Sequence, residues 1–88
     1  MDLVNYHMEL QRYNSEEGNS GVTYFEIGKE DIIVVFNGTA YRYTYSRTGK
    51  SHVEQMKRLA RKGKGLSTYI SQKVKKKYED TFPIKTQP

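Results

Sequence analysis

The pair Asn37-Gly38 constrains this chain more than any other feature of its sequence. It separates two runs rich in β-branched and aromatic residues, DIIVVF over 31–36 and TAYRYTYS over 39–46. Asn-Gly favours a two-residue type I′ turn, because both central residues of that turn need a positive φ. The segment 31–46 is therefore predicted to form a β-hairpin.

A two-residue loop also determines which hairpin residues face each other. On one side it pairs Phe36 with Thr39, Val34 with Tyr41, and Ile32 with Tyr43. This side is larger and more aromatic, so we predict that it faces the core and that Tyr41 and Tyr43 are buried. The alternative for these tyrosines is an exposed platform on which RNA bases stack. The opposite side is predicted to face solvent and carries Ile33, Val35, Ala40 and Arg42.

A third strand and a first helix flank the hairpin. Residues 22–27 (VTYFEI) have strand composition and are followed by turn residues at 28–30. They are predicted to complete a three-stranded antiparallel meander. After the hairpin, Ser51 and Glu54 form a capping-box pattern, which predicts a helix start. An apolar stripe follows at helical spacing, in Val53, Met56, Leu59 and Ala60.

A second helix is predicted after the break Gly63-Lys64-Gly65. Ser67 or Thr68 would cap it, and its apolar positions recur four residues apart, in Ile70, Val74 and Tyr78. The break has two interpretations. It is either a glycine C-cap between two helices or a turn whose backbone N–H groups hold a phosphate, as in the helix-hairpin-helix motif. The predicted fold is α+β, a three-stranded antiparallel meander with two C-terminal α-helices packed on one face.

We predict one domain with an extension at each end. The domain is expected over 18–80, between an N-terminal extension 1–17 that fits a short helix or an edge strand and a flexible tail 81–88. The 88 residues include no cysteine, and no stretch approaches the ~20 apolar residues of a membrane span. We therefore expect a cytoplasmic protein with no membrane partner.

Charge is distributed unevenly along the chain. Residues 42–78 contain twelve Lys and Arg against one acidic residue, Glu54, whereas residues 1–41 contain seven acidic residues against Arg12 and Lys29. Such a block attracts polyanions at long range. The candidate nucleic-acid contacts are Arg42, Lys57, Arg58, Arg61, Lys64, Lys73, Lys76 and Lys77. Four of these lie off the apolar helix stripes and are expected to face solvent, namely Lys57, Arg61, Lys73 and Lys76.

The sequence offers no recognisable catalytic, cofactor or metal site. Of its two histidines, His52 follows the predicted capping serine, where a surface position is expected. His7 and Glu9 would supply two metal ligands, but no third ligand cluster accompanies them. Nothing matches a phosphate-binding loop or a dinucleotide fingerprint. We therefore expect no metal, no cofactor and no enzymatic activity.

The order of these motifs resembles the KTSC domain, a small family found at the C-terminus of some lysyl-tRNA synthetases and as stand-alone bacterial proteins. The resemblance covers residues 18–78 and rests on Asn19-Ser20-Gly21-Val22, Tyr41-Arg42-Tyr43, Met56-Lys57-Arg58-Leu59-Ala60, the segment 63–70 and Tyr78. The chain departs from the commoner family pattern at 46–49, where Ser-Arg-Thr-Gly replaces a Pro-rich turn. The resemblance implies the α+β fold and, through the synthetase context, RNA binding. It implies no site residues.

Two functions remain open at this point. We predict a small non-catalytic binding module for RNA or another polyanion, acting through the basic C-terminal helices. The alternative is a protein-protein interaction or oligomerisation domain, whose acidic N-terminal part and basic C-terminal part dock on partner proteins or on each other.

Overall fold

The computed structural model describes residues 9–15 and 21–84, and it has an α+β architecture with one five-stranded antiparallel sheet. The strands lie side by side in chain order: β1 (Gln11–Arg12), β2 (Val22–Ile27), β3 (Asp31–Phe36), β4 (Thr39–Thr44) and β5 (Asp80–Pro83). Between β4 and β5 the chain forms α1 (Tyr45–Thr48), α2 (Lys50–Lys62), α3 (Leu66–Tyr69) and a π-helix (Ile70–Val74).

The central hairpin forms with the predicted turn and register. Asn37 and Gly38 have φ values of 49° and 82°, as a type I′ turn requires. The pairs on the core side are Phe36 with Thr39, Val34 with Tyr41, and Ile32 with Tyr43. The hairpin prediction is therefore confirmed residue by residue, because loop length leaves only one register open.

An edge strand on each side extends the predicted meander. The expectation of a flexible tail from residue 81 is wrong for residues 81–83, which belong to β5 and pair with β4. Phe82 lies opposite Ala40, and the Ile84 N–H donates to Gly38 O at 2.8 Å. At the other edge, β1 fits the edge-strand alternative for the extension. Residues 1–8, 16–17 and 85–88 of the predicted extension and tail lie outside the described residues.

The two faces of the sheet carry separate apolar clusters. The helices cover the face that carries Phe25, Ile32, Val34 and Tyr43, and α2 packs Val53, Met56 and Ala60 against it. The opposite face was predicted to face solvent, and this is wrong. Ile33, Val35 and Ala40 are only 3%, 1% and 0% exposed there. Packed against them are Leu10, Tyr24, Phe82 and Ile84. Leu10 comes from the extension for which the sequence left a short helix or an edge strand open, and Phe82 and Ile84 come from the segment predicted to be a flexible tail.

The first predicted helix begins two residues earlier than its capping box implies, at Lys50 rather than at His52. Gly49 precedes α2, and no side chain caps the helix. The capping role predicted for Ser51 and Glu54 is therefore wrong. Glu54 instead accepts a hydrogen bond of 2.5 Å from Tyr45 Oη. The residues between β4 and α2 form α1, which Thr44 caps by accepting from the Arg47 N–H at 3.1 Å.

The second predicted helix ends at Val74 rather than at Tyr78. Lys75 has φ 49° and ψ −118°, and the Lys77 N–H donates to Val74 O at 2.9 Å. These values match the first central position of a type II′ turn, which favours glycine. Reversing the chain here lets Tyr78 pack on Tyr41 and Tyr43, with ring centroids 5.1 Å and 6.1 Å apart.

Replacing Lys75 by glycine should stabilise the protein by about 1 kcal/mol. A non-glycine residue in a sparsely populated φ/ψ region costs about 1–3 kcal/mol, and glycine loses about 0.5–1 kcal/mol through its greater freedom in the unfolded chain. The urea unfolding midpoint measures the difference. Lys76→Gly is the matched control, because the φ of Lys76 is not positive, and it should destabilise. An equal loss of stability in Lys75→Gly and Lys76→Gly would contradict the inference that Lys75 is strained.

Candidate nucleic-acid interface

Six of the eight candidate contacts are exposed on the helical half of the molecule: Arg58, Arg61, Lys64, Lys73, Lys76 and Lys77. Lys62 and Lys75, which the candidate set omitted, are exposed beside them. We call these eight residues the basic surface. Within 9–15 and 21–84, no carboxylate forms an ion pair with any of them, since the ion pairs found there use Arg42 and Lys57.

The helices position the basic surface by burying their apolar sides. In α2 the buried positions include Val53, Met56 and Ala60, which leaves Arg58 and Lys62 on the side away from the sheet. The α3 and π-helix segment buries Leu66, Ile70 and Val74 in the same way. The type II′ turn at Lys75 then places four lysines within five residues, at positions 73 and 75–77. Cations from α2, from the π-helix and from the connection that follows each of them therefore make up the basic surface.

Lys57 does not belong to this surface, and the prediction that it faces solvent is wrong. Its side chain is 7% exposed. The ammonium donates to Lys29 O at 3.2 Å, pairs with Glu54 at 3.0 Å and lies 5.5 Å from the centre of the Tyr45 ring. Lys57 follows Val53 by four residues, so it lies at the border of the apolar stripe and is covered by the β2–β3 connection.

Lys57→Ala should therefore lower the free energy of unfolding by about 1–3 kcal/mol, because a hydrogen bond from a charged group is lost from a buried position. Thermal or urea unfolding checks this, with Arg58→Ala as the control. Arg58 is exposed on the same helix, and its loss should stay within about 0.5 kcal/mol. RNA affinity should not distinguish Lys57→Ala from the parent protein. Equal stabilities of the two variants would contradict the buried role of Lys57.

Arg42 also lies away from the basic surface. It projects on the sheet face opposite the helices, because it alternates with Tyr41 and Tyr43 along β4. Its guanidinium contacts Asp31 at 3.2 Å and Asp80 at 3.1 Å, and its side chain is 27% exposed. Arg42 is thus neutralised by two carboxylates on neighbouring strands. The structure does not bring it together with the other candidate contacts.

The same sheet face collects acidic groups. Glu26 pairs in register with Ile33, and Asp31 and Asp80 lie beside Arg42. Desolvation raises the pKa of the Glu26 carboxyl, with a further contribution from the charge of Asp31. A raised pKa indicates a carboxylate that is poorly accommodated. The described carboxylates of the sheet, Glu26, Asp31 and Asp80, thus lie on the face away from the helices, opposite the basic surface.

The Gly63-Lys64-Gly65 break is a helix C-cap in this structure. Gly63 has left-handed φ and ψ values of 77° and 29°, and its N–H donates to Leu59 O at 2.9 Å. The Lys64 N–H shares that acceptor at 3.4 Å, and the Leu66 N–H donates to Tyr13 Oη at 3.4 Å. Three donors near the turn thus have protein partners already. This favours the C-cap over a phosphate-holding turn, and α3 starts at Leu66 rather than at a capping Ser67 or Thr68.

Tyr41 and Tyr43 do not form a stacking platform. Tyr43 is 1% exposed, and its burial raises the pKa of the phenol. Tyr41 is partly buried against the same core and contacts Phe36 and Tyr78 edge to face. A base cannot reach the face of a ring enclosed in this way, so RNA recognition would rest on charge rather than on these tyrosines.

Sequence reasoning missed two cations of the basic surface, Lys62 and Lys75. Both lie in the basic block 42–78, so the charge pattern that gave the other candidates could also have found them. Arg12 does not join this surface. It lies opposite Tyr24, and its guanidinium stacks over the Tyr24 ring, 5.9 Å from the ring centre, on the sheet face away from the helices.

The described residues contain no group of three His, Asp or Glu side chains arranged to hold a metal ion. None of the helices in 9–15 and 21–84 has the length and apolar character needed to cross a membrane. Comparison with protein families, with curated proteins and with solved structures finds no match for this chain.

Proposed function

We propose that this protein is a small non-catalytic module that binds RNA or another polyanion through the basic surface. One observation carries the proposal: eight exposed cations without carboxylate partners share the helical side, while the described carboxylates of the sheet lie on the other. Maintaining such a concentration of like charge costs stability through repulsion. The phosphates of a bound polyanion would neutralise these cations and remove that cost, and the counterions that the polyanion releases would add to the affinity.

The resemblance to the KTSC domain is part of the same proposal. The unit that would correspond to the family is the meander β2–β4 with α2 and the α3 and π-helix segment on one face. β1 and β5 would then be additions at its two edges. The absence of cysteine is consistent with a cytoplasmic location.

The proposal predicts a charge-dependent and sequence-independent affinity. Lys73→Glu and Lys76→Glu together should weaken binding to mixed-sequence RNA by at least about tenfold. They should also reduce the slope of log affinity against log salt by about 0.7–0.9 for each lost phosphate contact. Fluorescence anisotropy at several salt concentrations measures both quantities. A control reversal, Lys29→Glu, changes an exposed lysine outside the basic surface and should have a much smaller effect.

Two results would contradict this function. One is the absence of binding to single-stranded and duplex RNA and DNA at low salt. The other is an equal loss of affinity in Lys73→Glu and Lys29→Glu as single variants. If RNA binds at the basic surface, reversing a lysine of that surface must weaken binding more than reversing a lysine outside it.

The separation of charge between the two sides also favours a second candidate, self-association of the acidic side of one copy with the basic surface of another. Analytical ultracentrifugation without nucleic acid tests it. Concentration-dependent association that disappears at high salt, together with no RNA binding, would replace the polyanion proposal with the oligomerisation alternative.

A further inference from the structure

The sheet face away from the helices has no second layer among the described residues. Its apolar cluster includes no residue of α1, α2, α3 or the π-helix. The molecule measures 37 × 31 × 19 Å, and the short dimension is that of one sheet with one layer of helices. A standard interface takes about 800 Å² from each partner, and a face that spans the two long dimensions has room for it.

The strand register arranges this face in two rows that cross the sheet, because side chains alternate between the faces along each strand. One row runs from β1 to β5 through Arg12, Tyr24, Val35, Ala40 and Phe82. The other runs from β2 to β5 through Glu26, Ile33, Arg42 and Asp80. We call the surface formed by these two rows the open face. Its middle strand is β3.

The open face has the composition of a protein interface. Tyr24 and Phe82 are only partly buried. A guanidinium lies over each ring, that of Arg12 at 5.9 Å from the centre of Tyr24 and that of Arg42 at 5.7 Å from the centre of Phe82. Aromatic residues and arginine are enriched at interfaces between proteins. The open face therefore suits a protein partner better than it suits water.

Glu26 gives the open face an acceptor that its own chain does not satisfy. One oxygen of this carboxylate is buried and receives no hydrogen bond from residues 9–15 and 21–84. Within those ranges, no lysine or arginine forms an ion pair with Glu26. A buried acceptor without a donor is costly, and more so when it is charged. A cation of the partner, facing Glu26, would offset that cost.

A two-fold axis along β3 places complementary residues of two open faces opposite each other. This axis lies between the two sheets and exchanges the two halves of each row. Glu26, one strand before β3, then faces Arg42 of the second copy, one strand after β3. In the other row Tyr24 faces Ala40 of the second copy, so a large side chain meets a small one. The symmetry makes each contact twice, and the open face is therefore complementary to itself.

We propose that two copies of this chain form a two-fold dimer through their open faces, with Glu26 of each copy facing Arg42 of the other. Arg42 contacts Asp31 and Asp80 of its own copy, and a guanidinium carries enough N–H donors to bind a further carboxylate. The basic surface lies on the other side of each copy, so the dimer would present two basic surfaces that face apart. Association of the acidic side with the basic surface is a different contact, which joins the copies head to tail.

Sedimentation equilibrium of the full chain without nucleic acid tests the dimer from micromolar to millimolar concentrations. Association should stop at two copies and persist from about 0.1 M to about 1 M salt, because buried charges are screened less than exposed ones. Glu26→Arg and Arg42→Glu should each raise the dissociation constant at least about a hundredfold, since each variant creates two contacts between like charges. A mixture of the two variants should form a heterodimer, in which both contacts again join opposite charges. Arg58→Glu, the matched charge reversal on the helical side, should dimerise like the parent protein.

A second measurement leaves the open face unchanged and holds even if Arg42→Glu does not fold. The chain has no cysteine, so a single introduced cysteine carries the only spin label of each copy. Lys29 is exposed in the β2–β3 connection, beside the proposed axis. Packed sheets lie about 10 Å apart, so labels at Lys29→Cys should be within about 25 Å of each other. Labels at Arg58→Cys, outside both helix layers, should be more than about 30 Å apart.

Three results would overturn the dimer. A chain that stays monomeric at millimolar concentration would assign the open face to another occupant. Association that Lys73→Glu and high salt abolish, and that Glu26→Arg leaves intact, would show head-to-tail contact instead. Labels at Lys29→Cys that are farther apart than those at Arg58→Cys would show that the copies meet through another surface. None of these results depends on whether the basic surface binds RNA.

Discussion

Replacing Tyr43 by alanine is expected to lower the free energy of unfolding by about 3–5 kcal/mol, the range for truncating a large aromatic side chain in a core. Tyr43 is 1% exposed and belongs to the cluster between the sheet and the helices. It lies opposite Ile32 in the hairpin and contacts Tyr78 edge to face at 6.1 Å. Its removal would therefore leave a cavity where the sheet, the helices and the segment leading to β5 meet.

Urea unfolding of Tyr43→Ala and Tyr43→Phe measures this loss and its origin. Tyr43→Phe keeps the ring and should change stability by less than about 1.5 kcal/mol, as near-isosteric core exchanges do. RNA affinity, measured where each variant is folded, should be the same for Tyr43→Phe and the parent protein. If Tyr43→Ala unfolds like the parent but binds RNA more weakly, the ring acts as a stacking surface, and its assignment to the core is incorrect.

Gly63→Ala should destabilise the protein by about 3 kcal/mol through two separate effects. A left-handed conformation costs a residue with a side chain about 1–2 kcal/mol, and Gly63 has φ 77°. A Cβ at this position would also lie 2.2 Å from Asn14 O, so the segment before β2 must move away. Overpacking of this kind typically costs a further 1–3 kcal/mol or so.

Gly65→Ala is the control that separates the two effects. Gly65 has φ 82°, but the nearest atom to a Cβ there is Leu59 Cδ2 at 4.0 Å. Its replacement should cost only the conformational part, about 1–2 kcal/mol. Equal unfolding free energies for the two variants would show that the docking of Asn14 on Gly63 does not hold this region together.

The clearest difference between a predicted and an observed position is that of Lys57. A pattern of apolar residues identifies the buried side of a helix, but a residue at the border of that side is buried or exposed according to what lies next to it. In this chain the β2–β3 connection offers Lys29 O to the Lys57 ammonium. Arg58, one position along, stays exposed. The end of the second helix was also beyond what the apolar pattern could predict. Tyr78 fits the helical spacing, but it packs on Tyr41 and Tyr43 after the chain has left the helix.

Local chemistry by itself determined the hairpin, the end of α2 and the location of the charge. Asn37-Gly38 specifies the turn and the register of the hairpin, because few other residue pairs accept positive φ values at both positions. Gly63 ends α2 because it accepts the left-handed conformation of a helix C-cap. The uneven distribution of charge along the chain follows directly from the positions of its charged residues. Only the tertiary structure decided the two edge strands, the cover of the second sheet face, the burial of Lys57 and the neutralisation of Arg42. Each of these depends on contacts between residues far apart in the chain. Such contacts form when separate apolar surfaces are buried against one another, and a local sequence pattern does not show which surfaces will meet.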